Sequence, residues 1–251
     1  MRILVCVKRV PAPGARIVLT DDGQAIDTNM LSFAVSPHEE CAVEEAVQLA
    51  ESNEGTATVL TLGPPEAEEQ LRAALAVGAS EAVLVPTDGS DWDPISTAEA
   101  LASTIAELEE EGQFDLILFG NESADSGGYQ VGIRVAHTLG RPMVSGIKGI
   151  DVEDGSVKLR RETNAGSEIY QLPLPAVVAV KEGINLPRYP TLKGRLNAKK
   201  VDVQQISQER TGSGQNMLRL VTPVQEISET TILDDATAVV DVLEELQAVK
   251  P

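Results

Sequence analysis

The alternation of short apolar runs with helix-like segments over the first 140 residues constrains the fold of this chain most strongly. Four runs, at residues 3–7, 57–62, 82–85 and 116–119, have the length and composition of buried strands. A segment with helical spacing of its apolar residues follows each run. Strands that alternate with helices usually pair in parallel. The order therefore predicts an α/β fold with a doubly wound, mostly parallel sheet and helices on both faces.

The helix boundaries carry their own signals. Ser36 is a good N-cap, Pro37 suits the first helical position, and Glu39 completes a capping box. Helices are predicted over residues 66–77 and from Asp93-Pro94 to about residue 111, where Gly78 and Gly112 provide stop signals. A further helix is predicted up to Gly140.

A glycine-rich loop at residues 120–132, GNESADSGGYQVG, joins the fourth apolar run to that last helix. Glycines let the backbone come close to a ligand, and free N–H groups at a helix start attract negative charge. The loop contains neither G-x-G-x-x-G nor G-x-x-x-x-G-K-[ST]. The loop therefore predicts an anion site that matches neither of these nucleotide-binding motifs. The alternative is an ordinary connection between a strand and a helix.

Ligands of parallel α/β sheets lie beyond the carboxyl ends of the strands, at the point where the strand order switches. Residues 8–13, 62–64 and 120–132 are predicted to lie at that edge. Several loops that converge on one nucleotide are a stronger indication than any one loop alone.

Composition excludes some classes of function. With 39 acidic against 20 basic residues the net charge is −19, which argues against binding to a nucleic acid backbone. A solvated acidic surface and a high-salt habitat explain this charge equally well. No apolar run approaches the ~20 residues of a membrane helix, so a cytoplasmic location is expected. Cys6 and Cys41 are interpreted as small core residues, and His38 and His137 are too few for a metal cluster.

The pattern changes after Gly140. Asp154-Gly155 and the stretch at 164–166 are turn signals that separate short apolar runs, and these runs are predicted to form an antiparallel addition to the sheet. The runs lie at residues 143–150, 157–161, 167–172 and 176–180.

The last third of the chain contains three further regions. Residues 182–200 are the most basic stretch of an acidic chain, residues 204–229 are polar and predict an extended arm, and residues 233–249 have helical spacing. The predicted division is an α/β nucleotide-binding domain at 1–200 and a C-terminal arm with a helix at 201–251.

Short motifs in family order make the chain similar to the electron transfer flavoprotein beta subunit. They are VCVKRV at 5–10, AVEEAV at 42–47, LGP at 62–64, LRAALAVGA at 71–79, the loop at 120–132, LPAVV at 174–178, NLPRYPTL at 185–192 and AKK at 198–200. The markers extend to about residue 200, and the last fifty residues match in general character only.

The resemblance implies an electron carrier subunit and not a free-standing enzyme. It implies a heterodimer in which an alpha subunit carries most of the FAD site while this chain binds AMP. A second FAD replaces AMP in the bifurcating branch of the family. The cofactor-binding residues carried over are Cys6, Ser36, Pro37, His38, Glu39, Leu62, Gly120, Asn121, Glu122, Ser123, Ala124, Asp125, Ser126, Gly127, Gly128, Tyr129, Gln130 and Val131.

The same resemblance implies partners. Acyl-CoA or related dehydrogenases would donate electrons and a quinone oxidoreductase would accept them. Residues 182–200 are predicted to dock redox partners, with Leu192 as the anchor and Arg188, Tyr189 and Lys193 beside it. A basic loop that only balances nearby acids is the alternative for this stretch. An ATP-binding, hydrolase-like protein of the same fold is the alternative for the whole chain.

Overall fold

A nine-stranded sheet forms the centre of the molecule. A computed structural model describes residues 1–211, 214–215, 217–224 and 230–248. The strands are β1 (Arg2–Cys6), β2 (Val10–Pro11), β3 (Phe33–Ala34), β4 (Thr56–Gly63), β5 (Glu81–Pro86), β6 (Leu116–Gly120), β7 (Met143–Glu153), β8 (Ser156–Thr163), β9 (Gly166–Pro173), β10 (Ala176–Val180) and β11 (Val203–Gln205).

The sheet has the strand order β11-β5-β4-β1-β6-β10-β7-β8-β9, while β2 and β3 form a separate antiparallel pair. Neighbouring strands from β11 to β7 run parallel, and β7, β8 and β9 are antiparallel neighbours. The chain moves from β1 to β4 on one side and returns to β6 on the other. The predicted mostly parallel sheet is therefore confirmed, with its switch point between β1 and β6.

The predicted placement of residues 176–180 in an antiparallel addition is wrong. These residues form β10, which lies between β6 and β7 and pairs in parallel with both, with Val177 opposite Ile117 and Met143. All five residues of β10 are buried. A continuous apolar run is typical of a parallel strand covered on both faces, and β10 is such a strand. The antiparallel addition consists of β7–β9, with turns where the sequence signals predict them.

The helices are α1 (Pro37–Ser52), α2 (Glu68–Val77), α3 (Pro94–Leu108), α4 (Val131–Thr138), α5 (Leu192–Ala198) and α6 (Ala236–Glu245). α3 starts where predicted, because Asp93 Oδ1 accepts hydrogen bonds from the N–H groups of Ile95 and Ser96 at 2.8 and 3.2 Å. Short 3₁₀ turns at Pro65–Ala67 and Glu109–Glu111 occupy the first residues predicted for α2 and the last predicted for α3.

Two hydrophobic clusters cover the two faces of the sheet. Ile3 and Val5 of β1 point into the cluster formed with α1 and α2, whereas Leu4 and Cys6 point into the cluster formed with α3 and α4. The alternation along one strand shows that both faces are buried, as expected for a doubly wound sheet. Cys6 and Cys41 are free and buried, as predicted.

The C-terminal part differs from the prediction at its beginning. β11 extends the sheet next to β5, and the following Ile206 is buried, so an extended arm cannot begin at residue 204. Thr211 still contacts α3, since its carbonyl accepts a hydrogen bond from Ser96 Oγ at 3.2 Å. Residues 212–213, 216, 225–229 and 249–251 lie outside the described residues, so the predicted arm and helix are described only in part. The domain division stays a prediction.

Within the described residues, every helix is too short or too polar to span a bilayer.

Candidate functional site

An open cleft lies at the carboxyl ends of β1 and β6, where the strand order switches. Its volume is about 370 Å³. The start of α1 forms one wall and the glycine-rich loop forms the other, which brings together two of the segments predicted to bind a nucleotide. The lining residues are Ser36, Pro37, His38, Glu122, Ser123, Ala124, Asp125, Ser126 and Gly127.

The α1 wall is organised by a buried carboxyl group. Glu39 Oε2 accepts hydrogen bonds from the hydroxyl and the N–H of Ser36, at 2.9 and 3.2 Å. Burial raises the pKa of Glu39 to about 7, against the opposing effect of these bonds and of Lys8. Glu39 therefore lies behind the cleft lining and joins the end of β1 to the start of α1.

The close approach of α1 to β6 requires glycine at position 120. A Cβ atom there would lie 2.5 Å from Glu39 Cγ, which is an impossible contact for two carbon atoms. Gly120 thus lets the first turn of α1 pack directly against the end of the strand from which the loop emerges. The distance between the two walls of the cleft depends on this contact.

Lys8 contacts a residue of the cleft lining, and this contact was not predicted, although residues 8–13 were predicted to lie at this edge. Lys8 follows β1, and its Nζ forms an ion pair with Asp125 Oδ2 in the loop. Burial raises the pKa of Asp125, but the charge of Lys8 and hydrogen bonds from Lys8, Ser123 and Ser126 outweigh it and lower the pKa. The position of Lys8 just after β1 was a sequence signal for this contact, because β1 ends beside β6, from which the loop emerges.

His38 connects the cleft to the segment that follows β10. The N–H of Glu182 donates a hydrogen bond to His38 Nδ1 at 2.7 Å. The ring proton is therefore assigned to Nε2, which lies 3.3 Å from Glu122 Oε1. One side chain thus contacts both the glycine-rich loop and residue 182, the first residue of the predicted docking stretch.

The remaining predicted cofactor residues lie around the cleft and not in its lining. Cys6 is buried at the end of β1, and burial raises the pKa of its thiol. Leu62 is half-buried at the end of β4, and the N–H of Asn121 donates to the carbonyl of Val180 at 2.8 Å. Beyond the lined part of the loop are Gly128, Tyr129, Gln130 and Val131, of which Val131 begins α4.

Two conformational features shape that far end of the loop. Gly127 and Tyr129 both have φ of +54°, a region that glycine adopts freely and tyrosine only at a cost. Gly128, between them, would place a Cβ in open space. Gln130 faces a second hollow of about 410 Å³ between α3 and α4.

The predicted docking stretch, residues 182–200, begins with a turn after β10, continues without regular structure over residues 186–191 and then forms α5, which packs against α2. Leu192 is the first residue of α5, and it is exposed, as are Tyr189 and Lys193. Arg188 differs from them, because Glu44 and Glu51 of α1 bind its guanidinium.

Comparison with known proteins agrees with this architecture. The model of the electron transfer flavoprotein domain matches residues 25–211. The electron transfer flavoprotein subunit beta of Mycobacterium tuberculosis is 38% identical over 207 residues, which is 80% of this chain and 77% of the relative. The subunit of the same name from Bacillus subtilis is 34% identical over 208 residues, covering 82% and 79%. That from Syntrophomonas wolfei is 33% identical over 236 residues, covering 94% and 91%. The chain therefore belongs to the electron transfer flavoprotein family, in its beta-subunit branch.

Proposed function

We propose that this chain binds AMP in the cleft and forms a heterodimer with an alpha subunit that holds most of an FAD. The chain is then an electron carrier subunit without a catalytic reaction of its own. FAD supplies the redox chemistry of such a dimer, and the beta subunit supplies docking and structural support.

The observation that carries the nucleotide proposal is the meeting of the α1 start and the glycine-rich loop at the switch point. A volume of about 370 Å³ lies within the ~300–1,000 Å³ range for small-molecule sites, so the cleft has room for an adenine nucleotide. Lys8 and those N–H groups of residues 125–131 that are not bonded within the loop would hold the phosphate. The ends of β1 and β4, at Cys6 and Leu62, would lie beside the adenosine.

The C-terminal segment supports the partner proposal. Its apolar side chains are largely exposed to solvent, although their spacing in α6 is that of an amphipathic helix. Exposed apolar surface of this extent is typical of a surface that another chain covers. We propose that the alpha subunit covers this apolar surface. The exposed apolar residues are Met217, Leu218, Val221, Val224, Ile232, Val239, Val240, Leu243 and Leu246.

The docking proposal concerns residues 182–200, which we assign to acyl-CoA or related dehydrogenases, with a quinone oxidoreductase as the electron acceptor. The stretch presents Leu192 to solvent beside the cations Lys193, Arg195, Lys199 and Lys200. An apolar anchor in a basic surround suits a partner pocket bordered by acidic residues.

The decisive experiment identifies the nucleotides released when the purified heterodimer is denatured, by mass spectrometry. One AMP and one FAD per dimer support the proposal. Two FAD would assign the chain to the bifurcating branch, and ATP would favour the hydrolase-like alternative. A dimer that releases FAD alone, at one per dimer, would contradict nucleotide binding in the cleft.

Gly128→Val tests the position of the nucleotide. The fold tolerates the added side chain, because the new Cβ meets nothing within 4 Å and the φ of Gly128 is not in the left-handed region. The side chain would instead obstruct the path of a phosphate along the loop. We expect the affinity for AMP to fall by at least about tenfold, a loss of about 1.4 kcal/mol of binding free energy, and the AMP content of the purified protein to fall with it. Ala165→Val, in the exposed β8–β9 turn, is the control, and full AMP occupancy in Gly128→Val would rule out this phosphate position.

A further inference from the structure

The docking stretch is attached to the outer face of α1 by side chains. Arg188 Nε lies 3.1 and 3.0 Å from the two carboxylate oxygens of Glu44, and its backbone N–H donates to Glu44 Oε2 at 3.1 Å. The two Nη atoms lie 2.8 and 3.0 Å from the two oxygens of Glu51. Asn185 Nδ2 adds bonds to the carbonyl of Cys41 at 3.0 Å and to Glu45 Oε2 at 2.9 Å.

A carboxylate binds the guanidinium of Arg188 at each end, Glu44 at Nε and Glu51 at the two Nη atoms. This pair of contacts is called the fork. Glu44 and Glu51 are two helical turns apart, so they lie on the same face of α1 and flank one planar guanidinium. Glu44 is only 3% exposed, so its carboxylate depends on Arg188 and Gln48 for partners. Hydrogen bonds that Arg188 donates to Glu51 and Glu44 raise the pKa of Arg188. Because every guanidinium nitrogen already has a carboxylate partner, Arg188 has little capacity left for a docking protein.

Three large apolar side chains surround this fork in the sequence. Leu186, Tyr189 and Leu192 are 89%, 93% and 77% exposed. Such exposure at three positions within seven residues is unusual for a monomeric surface, and it needs a backbone that holds the side chains away from the core. A partner that binds an already ordered segment pays less conformational entropy on association.

We propose that Arg188 is a positioning residue. Through Glu44 and Glu51, it holds residues 185–192 in the conformation that presents Leu186, Tyr189 and Leu192 to the apolar pocket of a redox partner. The attraction of an acidic partner comes from the cations of α5 and the residues after it, not from Arg188. This inference rests on the docking function proposed above and gives Arg188 a different role within it.

Two substitutions separate positioning from charge attraction. Arg188→Lys keeps the positive charge and loses the fork. Glu51→Gln makes the surface more positive and weakens one end of the fork, and Glu51 is exposed enough for the variant to fold. If Arg188 only attracts acidic partners, Arg188→Lys has no effect and Glu51→Gln speeds association. If Arg188 positions the segment, both variants slow association.

The experiment measures flavin reduction by stopped flow, in the FAD-loaded heterodimer mixed with a purified acyl-CoA dehydrogenase reduced by its substrate. We expect Arg188→Lys and Glu51→Gln each to lower the second-order rate about fivefold, as for the ordering of one or two side chains. The limiting rate at saturating dehydrogenase and the FAD content should remain at the wild-type values. Arg16→Lys is the matched control, since Arg16 is exposed, lies outside the docking stretch and forms no ion pair with the described residues.

Leu192→Ala distinguishes failure of this inference from failure of the docking function. If Leu192→Ala slows reduction while both fork variants match wild type, or while Glu51→Gln is faster, docking stands and positioning by Arg188 is wrong. If Leu192→Ala leaves the second-order rate unchanged, the docking surface itself is wrong and the inference falls with it. Should Arg188→Lys fail to assemble, Glu51→Gln alone decides.

Discussion

α1 and α6 begin alike and are buried very differently. Each starts after an acid-assisted cap, with Glu39 bonded to Ser36 in α1 and Asp235 Oδ1 accepting from the N–H of Ala238 at 2.9 Å in α6. Each has an amphipathic spacing of apolar residues. Yet ten of the 16 residues of α1 are buried and none of the 10 residues of α6 is.

The difference shows what an amphipathic pattern specifies. An amphipathic pattern requires that one face of the helix be buried, but it does not identify the element or chain that buries it. The sheet covers α1, so the chain itself satisfies the pattern. No residue of α6 is buried by the described part of the chain. In the proposed heterodimer, the alpha subunit buries the apolar face of α6.

Removing residues 212–251 is the most severe test of this contrast. Both hydrophobic clusters lie in residues 3–206, so the remaining chain keeps its core. We expect the helical and sheet signals of circular dichroism to persist while association with the alpha subunit falls below detection at micromolar concentration. A truncated chain that pairs with the alpha subunit as tightly as the full chain would show that α6 is not covered by this partner.

The buried carboxyl group of Glu39, at the start of α1, predicts that the stability of the protein depends on pH. The corresponding acid of α6, Asp235, is exposed. Glu39 has an ordinary pKa of 4.5 and a folded pKa of about 7, so the folded state binds the proton more tightly. The contribution of Glu39 to the free energy of unfolding is therefore largest below pH 4.5, and it is lost as the pH rises through about 7. The loss is roughly 3 kcal/mol at full ionisation, from the size of the shift.

Glu39→Gln, which stays uncharged at every pH, should remove this part of the pH dependence. Urea denaturation of both proteins between pH 5 and 8 measures it. Asp235→Asn is the control, because Asp235 is exposed and its replacement leaves the α1 carboxyl intact. Parallel stability curves for wild type and Glu39→Gln would contradict the burial argument.

One substitution made in both helices gives the smallest effects. Val47 of α1 is 1% exposed and Val240 of α6 is 48% exposed. Val47→Ala removes two buried methyl groups and leaves a cavity, so we expect a loss of about 2 kcal/mol in the free energy of unfolding of the unpartnered chain. Val240→Ala should change it by less than about 0.5 kcal/mol. Equal losses at the two sites would mean that α6 packs against its own chain.

Local signals made most of the sheet and one wall of the cleft predictable. Ser36, Pro37 and Glu39 determine where α1 starts through bonds within a few residues, and the apolar runs before the helices became parallel strands. β10 was assigned wrongly because a five-residue apolar run pairs equally well in parallel or antiparallel. The direction of pairing depends on its neighbours β6 and β7, and both strands lie far from β10 in the sequence.

The parts of the site that escaped prediction depend on contacts between distant residues. Lys8 and Asp125 are separated by 117 residues, and Arg188 is 144 residues from Glu44. No periodicity or motif encodes such pairs, since each depends on where the sheet has already placed two loops. The sequence showed that Arg188 is basic, but the fold determines that its charge is already bound by two carboxylates.

The central position of β10 affects how the chain matures during synthesis. β6 is finished at Gly120, but the neighbour that covers its far edge does not exist until Val180 has been made. A ribosome adds about 5–20 residues per second, so the open edge of β6 stays exposed for several seconds. An unpaired apolar strand edge is a target for aggregation and for chaperones. The half-made chain is therefore in need of protection in the cell until β10 has been made.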